Sequence, residues 1–219
     1  MRVNNLQPTT PQMNLKKINS NLQEALIESG LTEANPIQKD TFSTLKSGAD
    51  CVIVSPAGSG KSTTIVLNVI QQLVAEGEES PRALIMVEDK AKVLAMEELF
   101  EQFGKYTNLR VYGVHDKGDM EYDKNYISTG IDVLIGTPNR LNEMFTTAGY
   151  NVNRLKMFIL DDAEPILKLR HETKIMRISN SINKTQRIIF TEVVTERIDM
   201  LAEKMLTEPY WFEMEDDEN

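Results

Sequence analysis

The chain has 219 residues, a hydrophobic share of 41%, a charged share of 26% and a formal net charge of −9. That length suits one well-buried core and excludes two full-sized domains, and no apolar run approaches the ~20 residues of a membrane span. The negative balance excludes indiscriminate nucleic-acid binding, because neutralising phosphates takes clustered Lys and Arg, so any such contact must be local.

Residues 1–8 contain no apolar stretch of signal-peptide type, and Cys51 is the only cysteine. A cytoplasmic, disulfide-free protein is expected. His115 and His171 lie far apart without a second ligand at zinc spacing; no structural zinc site is expected, and both read as surface residues.

Residues 1–12 are polar and proline-bearing with no periodicity that buries a face, and read as a flexible arm. From Met13 onward the pattern changes. Leu15, Ile18, Leu22, Ala25, Leu26 and Ile27 recur at helical spacing, and Gly30 stands where a C-cap would end the helix. A second helix is expected over 36–45, with Pro36 in its first turn and Ser47-Gly48-Ala49-Asp50 leading out. Cys51-Val52-Ile53-Val54 is short, apolar and β-branched, as a buried parallel strand requires; a glycine-bearing loop and a helix over 62–75 follow. Further buried strands are expected at 83–87, 109–112, 133–135, 157–160 and 187–190, with helices at 91–103 and 140–146. This alternation specifies one α/β domain over 13–212, a mostly parallel sheet with helices on both faces. Residues 213–219 read as a solvated acidic tail.

The segment Ser55-Pro56-Ala57-Gly58-Ser59-Gly60-Lys61-Ser62 matches the phosphate-loop pattern Gly-x-x-x-x-Gly-Lys-Ser/Thr except that Ser55 replaces the first glycine. The glycines let backbone N–H groups curl around phosphate oxygens, the following helix points its positive end at them, and Lys61 adds a mobile charge. Ser55, Ala57, Gly58, Ser59, Gly60, Lys61, Ser62 and Thr63 are thus the expected nucleotide-binding residues, with ATP and Mg²⁺ as cofactors. Ser62 is placed to ligate the Mg²⁺. A plain glycine-rich turn between strand and helix has no need of Gly-Lys-Ser at the helix start.

Asp161-Asp162 follows the apolar run Met157-Phe158-Ile159-Leu160 directly, and ligands in open α/β sheets gather at the carboxyl ends of strands. An acid there either holds Mg²⁺ across from the phosphate loop or caps the next helix, and the phosphate loop upstream favours the metal role for Asp161.

In this order the motifs resemble the first RecA-like domain of the DEAD-box RNA helicases, from about residue 13 to residue 211. Gly30-Leu31-Thr32-Glu33-Ala34-Asn35-Pro36-Ile37-Gln38 is similar to the family's Q motif, which implies that Gln38 reads the adenine edge. The family's motif I itself opens with a small residue, as Ser55 does here. Thr137-Pro138-Asn139-Arg140 resembles the Thr-Pro-Gly-Arg motif, which implies that Thr137 and Arg140 contact the backbone of single-stranded RNA. Asp161-Asp162-Ala163-Glu164 stands where the family has Asp-Glu-Ala-Asp; Asp161 then serves the metal and Asp162 takes the place of the water-activating glutamate. One methylene shorter, Asp162 draws its carboxylate back by more than ~1 Å, so weak or absent hydrolysis is expected.

Other departures point the same way. Glu88-Asp89-Lys90-Ala91-Lys92-Val93 replaces a family segment that contacts the RNA backbone, and its two leading acids would repel a phosphate. Thr191-Glu192-Val193 replaces the Ser-Ala-Thr motif that couples ATP to RNA. No aromatic residue precedes Phe42, so the one that normally leads the Q motif is missing. The sequence stops where the family's second RecA-like domain, with its arginine finger, would begin, and the acidic run reads as a natural end. The expectation is a single-domain relative that binds ATP with Mg²⁺ and does not unwind duplexes alone. The alternative is a non-catalytic module on a helicase-like scaffold that docks RNA or a protein partner.

Overall fold

The structure, a computed structural model, describes residues 14–214 apart from Lys16 and Glu78. The expected arm at 1–12 and the acidic residues 215–219 lie outside the described residues. In chain order the elements are α1 (Ser20–Glu28), α2 (Pro36–Ser47), β1 (Cys51–Val54), α3 (Lys61–Leu73), β2 (Ala83–Met86), α4 (Lys90–Gly104), β3 (Val111–Val114) and α5 (Met120–Ser128). They continue as β4 (Val133–Gly136), α6 (Pro138–Thr146), β5 (Met157–Leu160), α7 (Ala163–Lys168), α8 (Glu172–Ser179), β6 (Gln186–Thr191), α9 (Glu196–Met205) and β7 (Tyr210–Glu213).

The seven strands form one sheet in the order β3-β4-β2-β5-β6-β1-β7, and every pairing is parallel. Alternate residues of a strand face opposite sides of the sheet. Ile53 of β1 therefore joins a core with Ile65, Phe100 and Phe103 under α1 to α4, while Val52 joins Phe158, Ile178 and Leu201 on the other side. Burial on both faces explains why the central strands are uninterrupted apolar runs. Truncating a fully buried Phe158 to alanine would cost about 3–5 kcal/mol in lost transfer and cavity energy.

Three local differences from the sequence reading have physical causes. The first helix begins at Ser20, because Asn19 caps it by accepting from the N–H groups of Asn21 and Leu22. Leu15 and Ile18 still pack against the core, but as a lead-in segment. Its end follows expectation: Gly30 is left-handed (φ +73°), and the N–H groups of Gly30 and Leu31 bond back to Ile27 and Leu26. Second, the strand expected at 109–112 lies at Val111–Val114, since Arg110 is drawn into an ion pair with Asp132. Third, β7 was not expected at all; its Tyr210 and Trp211 are exposed on the sheet edge. His115 and His171, expected at the surface, are both half-buried.

Candidate nucleotide site

Two successive strands in the sequence, β1 and β2, lie apart in the sheet, separated by β6 and β5, and the crevice above such a switch point is where parallel sheets bind ligands. The phosphate loop leaves β1 there. Ser55 extends the ladder by donating its N–H to Thr191 O (3.0 Å), and Ser59 N–H closes a turn on Pro56 O (3.3 Å). Gly58 (φ +78°) and Gly60 (φ +95°) adopt left-handed backbone that a side chain would strain. At Gly60 a Cβ would also meet Asn35 Nδ2 at 2.6 Å. Thus both glycines meet local backbone needs, and α3 opens at Lys61, directly after the loop, with no side chain capping its first turn.

Lys61 is buried, and its ammonium is folded across the loop, donating to Ser55 O (3.0 Å) and Pro56 O (3.1 Å). Asp162 and Glu192 each place a carboxylate oxygen 3.5 Å from it. An incoming phosphate would compete with these partners for the same charge. Ser62 donates its hydroxyl to Asp161 Oδ2 at 2.9 Å, joining the start of α3 to the end of β5.

Asp161 is almost fully buried and its Oδ1 has no hydrogen-bond partner. Burial, and next the neighbouring Asp162 charge, push its carboxyl up to about 6, against the lowering effect of the Ser62 hydrogen bond and of Lys92 and Lys61. A cation at that oxygen would relieve both causes. The residues therefore fit Mg²⁺, which Ser62 and Asp161 would hold. When bound, the ion would polarise the terminal phosphates. No group of three His, Cys, Asp or Glu side chains at metal-binding distance occurs among the described residues.

Asp162 occupies the N-cap position of α7 but makes no side-chain cap bond, and its backbone is left-handed (φ 53°, ψ 68°). Its Oδ2 accepts from Lys92 Nζ at 2.9 Å. Two ammonium groups thus flank the carboxylate expected to activate water. Lys92 is a residue that motif matching missed, because it lies 70 positions away in the sequence and within a segment that the resemblance assigns to RNA.

Gln38 is buried in the first turn of α2 as half of a capping box, its Oε1 accepting from Asn35 N–H (3.1 Å) while Asn35 Oδ1 accepts from Gln38 N–H (3.0 Å). Asn35 Nδ2 also donates to Ser59 O (2.9 Å), so the Gln38 turn is tied directly to the phosphate loop. Asn35 is a second residue without a role in the sequence reading, although Asn before Pro is a readable N-cap signal. Ala57 is exposed at the loop's outer bend and Thr63 is half-buried one residue beyond Ser62.

Thr137 and Arg140 sit together at the carboxyl end of β4, away from the phosphate loop. Thr137 Oγ1 and Asn139 Nδ2 both donate to the Asp116 carboxylate (2.8 and 3.1 Å). Burial pushes the Asp116 carboxyl up, and these donors outweigh it, holding it below the usual carboxylate range. Arg140 is buried and donates to the backbone carbonyls of His115 (3.0 Å) and Gly118. Glu88, Asp89, Leu94, Asp116 and Thr137 line a groove of about 500 Å³ beside this cluster.

The model of the DEAD/DEAH box helicase family matches residues 35–201. The chain belongs to that family. Among its relatives, it is 26% identical over 198 residues to DEAD-box ATP-dependent RNA helicase 30 of Arabidopsis thaliana, covering 87% of this chain and 33% of that protein. It is 23% identical over 205 residues to eukaryotic initiation factor 4A of Dictyostelium discoideum, covering 93% of this chain and 50% of the relative. The chain thus spans half or less of these relatives' length. The fold superposes on the crystal structure of a DEAD box protein from the hyperthermophile Methanococcus jannaschii with a TM-score of 0.88 at 20% identity, covering 93% of this chain and 56% of the other. The described residues accordingly form one RecA-like domain of the DEAD/DEAH box helicase family. No helix among the described residues is long and apolar enough to cross a membrane.

Proposed function

We propose that this domain binds ATP with Mg²⁺ in the cytoplasm, hydrolyses it slowly or not at all, contacts single-stranded RNA weakly and does not unwind duplexes on its own. The observation that carries the reading is the convergence of Lys61, Ser62 and Asp161 above the carboxyl ends of β1 and β5, with Asp161 Oδ1 buried and unpartnered. Lys61 would leave the loop carbonyls for the phosphates, the α3 N–H groups would cradle them, and Gln38 would select adenine. Asp162 would be the acid that activates the attacking water, and its ion pairs with Lys61 and Lys92 argue for slow turnover.

A second reading, a non-catalytic module that docks a protein partner, is favoured over RNA docking by one feature. The Thr137 and Asn139 donors that an RNA phosphate would use are taken by Asp116. Calorimetric titration of ATP, GTP and ADP, each with Mg²⁺, separates the two. Adenine-selective binding supports the nucleotide reading, and absence of heat with all three supports the scaffold.

A further inference from the structure

We propose that Lys92 is a positioning residue that locks Asp162 away from the attacking water, so that this domain holds ATP without consuming it. The inference rests on the nucleotide reading above and concerns a residue that reading does not use.

Lys92 lies in the first turn of α4, where Asp89 caps the helix by accepting from the Lys92 N–H (3.0 Å). That cap fixes the direction of the side chain's root. The ammonium reaches Asp162 Oδ2 at 2.9 Å, a charge-assisted bond between a carboxylate 15% exposed and a lysine 43% exposed, so water screens the lysine end and not the carboxylate end. Asp162 in turn stands on a left-handed backbone between β5 and α7, which restricts the directions open to a short side chain. The carboxylate end of the pair is therefore held, and the root of the lysine with it.

Lys61 also lies within ion-pair distance of Asp162, at 3.5 Å. Phosphates would draw Lys61 away, since it carries the loop's mobile charge. Lys92 has no phosphate cradle behind it and would remain. In hydrolysis the water oxygen bonds to the γ-phosphorus, its proton passes to a carboxylate, and the bond from phosphorus to the bridging oxygen breaks with its electrons leaving on ADP. With Oδ2 held at 2.9 Å by Lys92, the Asp162 carboxylate is not free to swing into hydrogen-bond reach of that water, which a general base must have. The lock acts through Asp162 and makes its shortened side chain a lesser part of the block.

The experiment measures single-turnover phosphate release from saturating ATP with Mg²⁺, alongside calorimetric ATP binding. Wild type, Lys92→Met, Lys92→Arg and the double variant Lys92→Met/Asp162→Asn are compared. Lys156→Met, exposed at the amino end of the sheet, controls for the lost charge. The expected result is a rise of about tenfold in Lys92→Met, a small part of what a positioned base supplies. Lys92→Arg shows no such rise, and Asp162→Asn cancels it. Equal or slower release by Lys92→Met with ATP still bound overturns the lock and leaves the nucleotide reading standing. A rise that survives Asp162→Asn overturns it as well. If neither wild type nor Lys92→Met binds ATP, the nucleotide reading has failed and the lock fails with it.

Discussion

The Ser62 hydroxyl and the Asp161 carboxylate, 99 residues apart in the sequence, meet at 2.9 Å and leave the second Asp161 oxygen buried without a partner. That oxygen is the place where Mg²⁺ would enter. Asp161→Asn keeps the shape and the Ser62 acceptor but removes the charge. ATP affinity in Mg²⁺ is expected to fall about tenfold or more, the worth of a charged contact, while affinity in EDTA stays unchanged. Equal losses with and without Mg²⁺ would mean that Asp161 supports the loop and not the metal.

Lys61→Ala removes the one ammonium that lies inside the phosphate loop and leaves the backbone cradle formed by Gly58 and Gly60. A charge-assisted bond contributes about 1.5–3 kcal/mol, so ATP binding is expected to weaken by roughly 10–100-fold. An isotherm on folded mutant protein tests this, and equal binding by wild type and mutant sinks the phosphate-loop reading.

Gln38 has one observed role, as half of a helix capping box, and one proposed role at adenine, and its substitution separates them by measurement. Its amide can both donate to and accept from adenine, whereas GTP presents the opposite pattern. Gln38→Ala is expected to reduce a preference for ATP over GTP by about tenfold, the value of one or two hydrogen bonds. It also deletes half of the capping box with Asn35, at a cost of about 1 kcal/mol in urea unfolding. Lost stability with unchanged selectivity would leave Gln38 as a helix cap only.

The central strands and the phosphate loop were legible because each is a local pattern: a continuous apolar run for burial on both faces, and Gly-Lys-Ser after such a run. What was not legible is what distant segments do to one another. Lys92 meets Asp162 across 70 residues and Lys61 meets Glu192 across 131, and no periodicity encodes either contact. Asp116 reaches Thr137 and Asn139 from a neighbouring loop, a pairing equally silent in the sequence. The edge strands were the weak points for a related reason. Tyr210 and Trp211 of β7 face solvent, so that strand lacks the buried pattern that marked the others.

Asp132 contributes the clearest pH dependence of stability. It is fully buried at the amino end of β4, with Arg82 at 2.6 Å and Arg110 at 2.9 Å from its two oxygens. Burial pushes its carboxyl up, but the Arg110 and Arg82 hydrogen bonds more than offset this and hold it below the ordinary range. A depressed folded-state value means stabilisation that is present above the unfolded value of about 4 and lost as pH falls through the folded one. Asp132→Asn is expected to destabilise the domain by about 3 kcal/mol at pH 7, because it strands two arginines around a neutral amide. In urea melts the gap between wild type and mutant should narrow below pH 4; a gap that does not change with pH would assign the loss to packing.

Turnover by the unmodified domain is expected to lie near background, and Asp162→Glu should raise it only modestly. The longer side chain returns a carboxylate toward the attacking water, and a positioned base is worth ~10²–10⁴-fold when the rest of the site is in place. Here it is not. Glutamate tolerates the left-handed backbone at this position less well than aspartate, and Lys92 remains within reach to pair with it. Glu192 competes for Lys61 from the segment that would couple ATP to RNA, and one RecA-like domain brings no arginine finger, an element worth ~10³–10⁵ in related phosphoryl transfer. Asp162→Glu combined with Lys92→Met should therefore exceed either change alone. Phosphate release is measured for all four proteins with and without single-stranded RNA. Brisk RNA-stimulated release by the unmodified domain would make Asp162 a competent base and this a working ATPase.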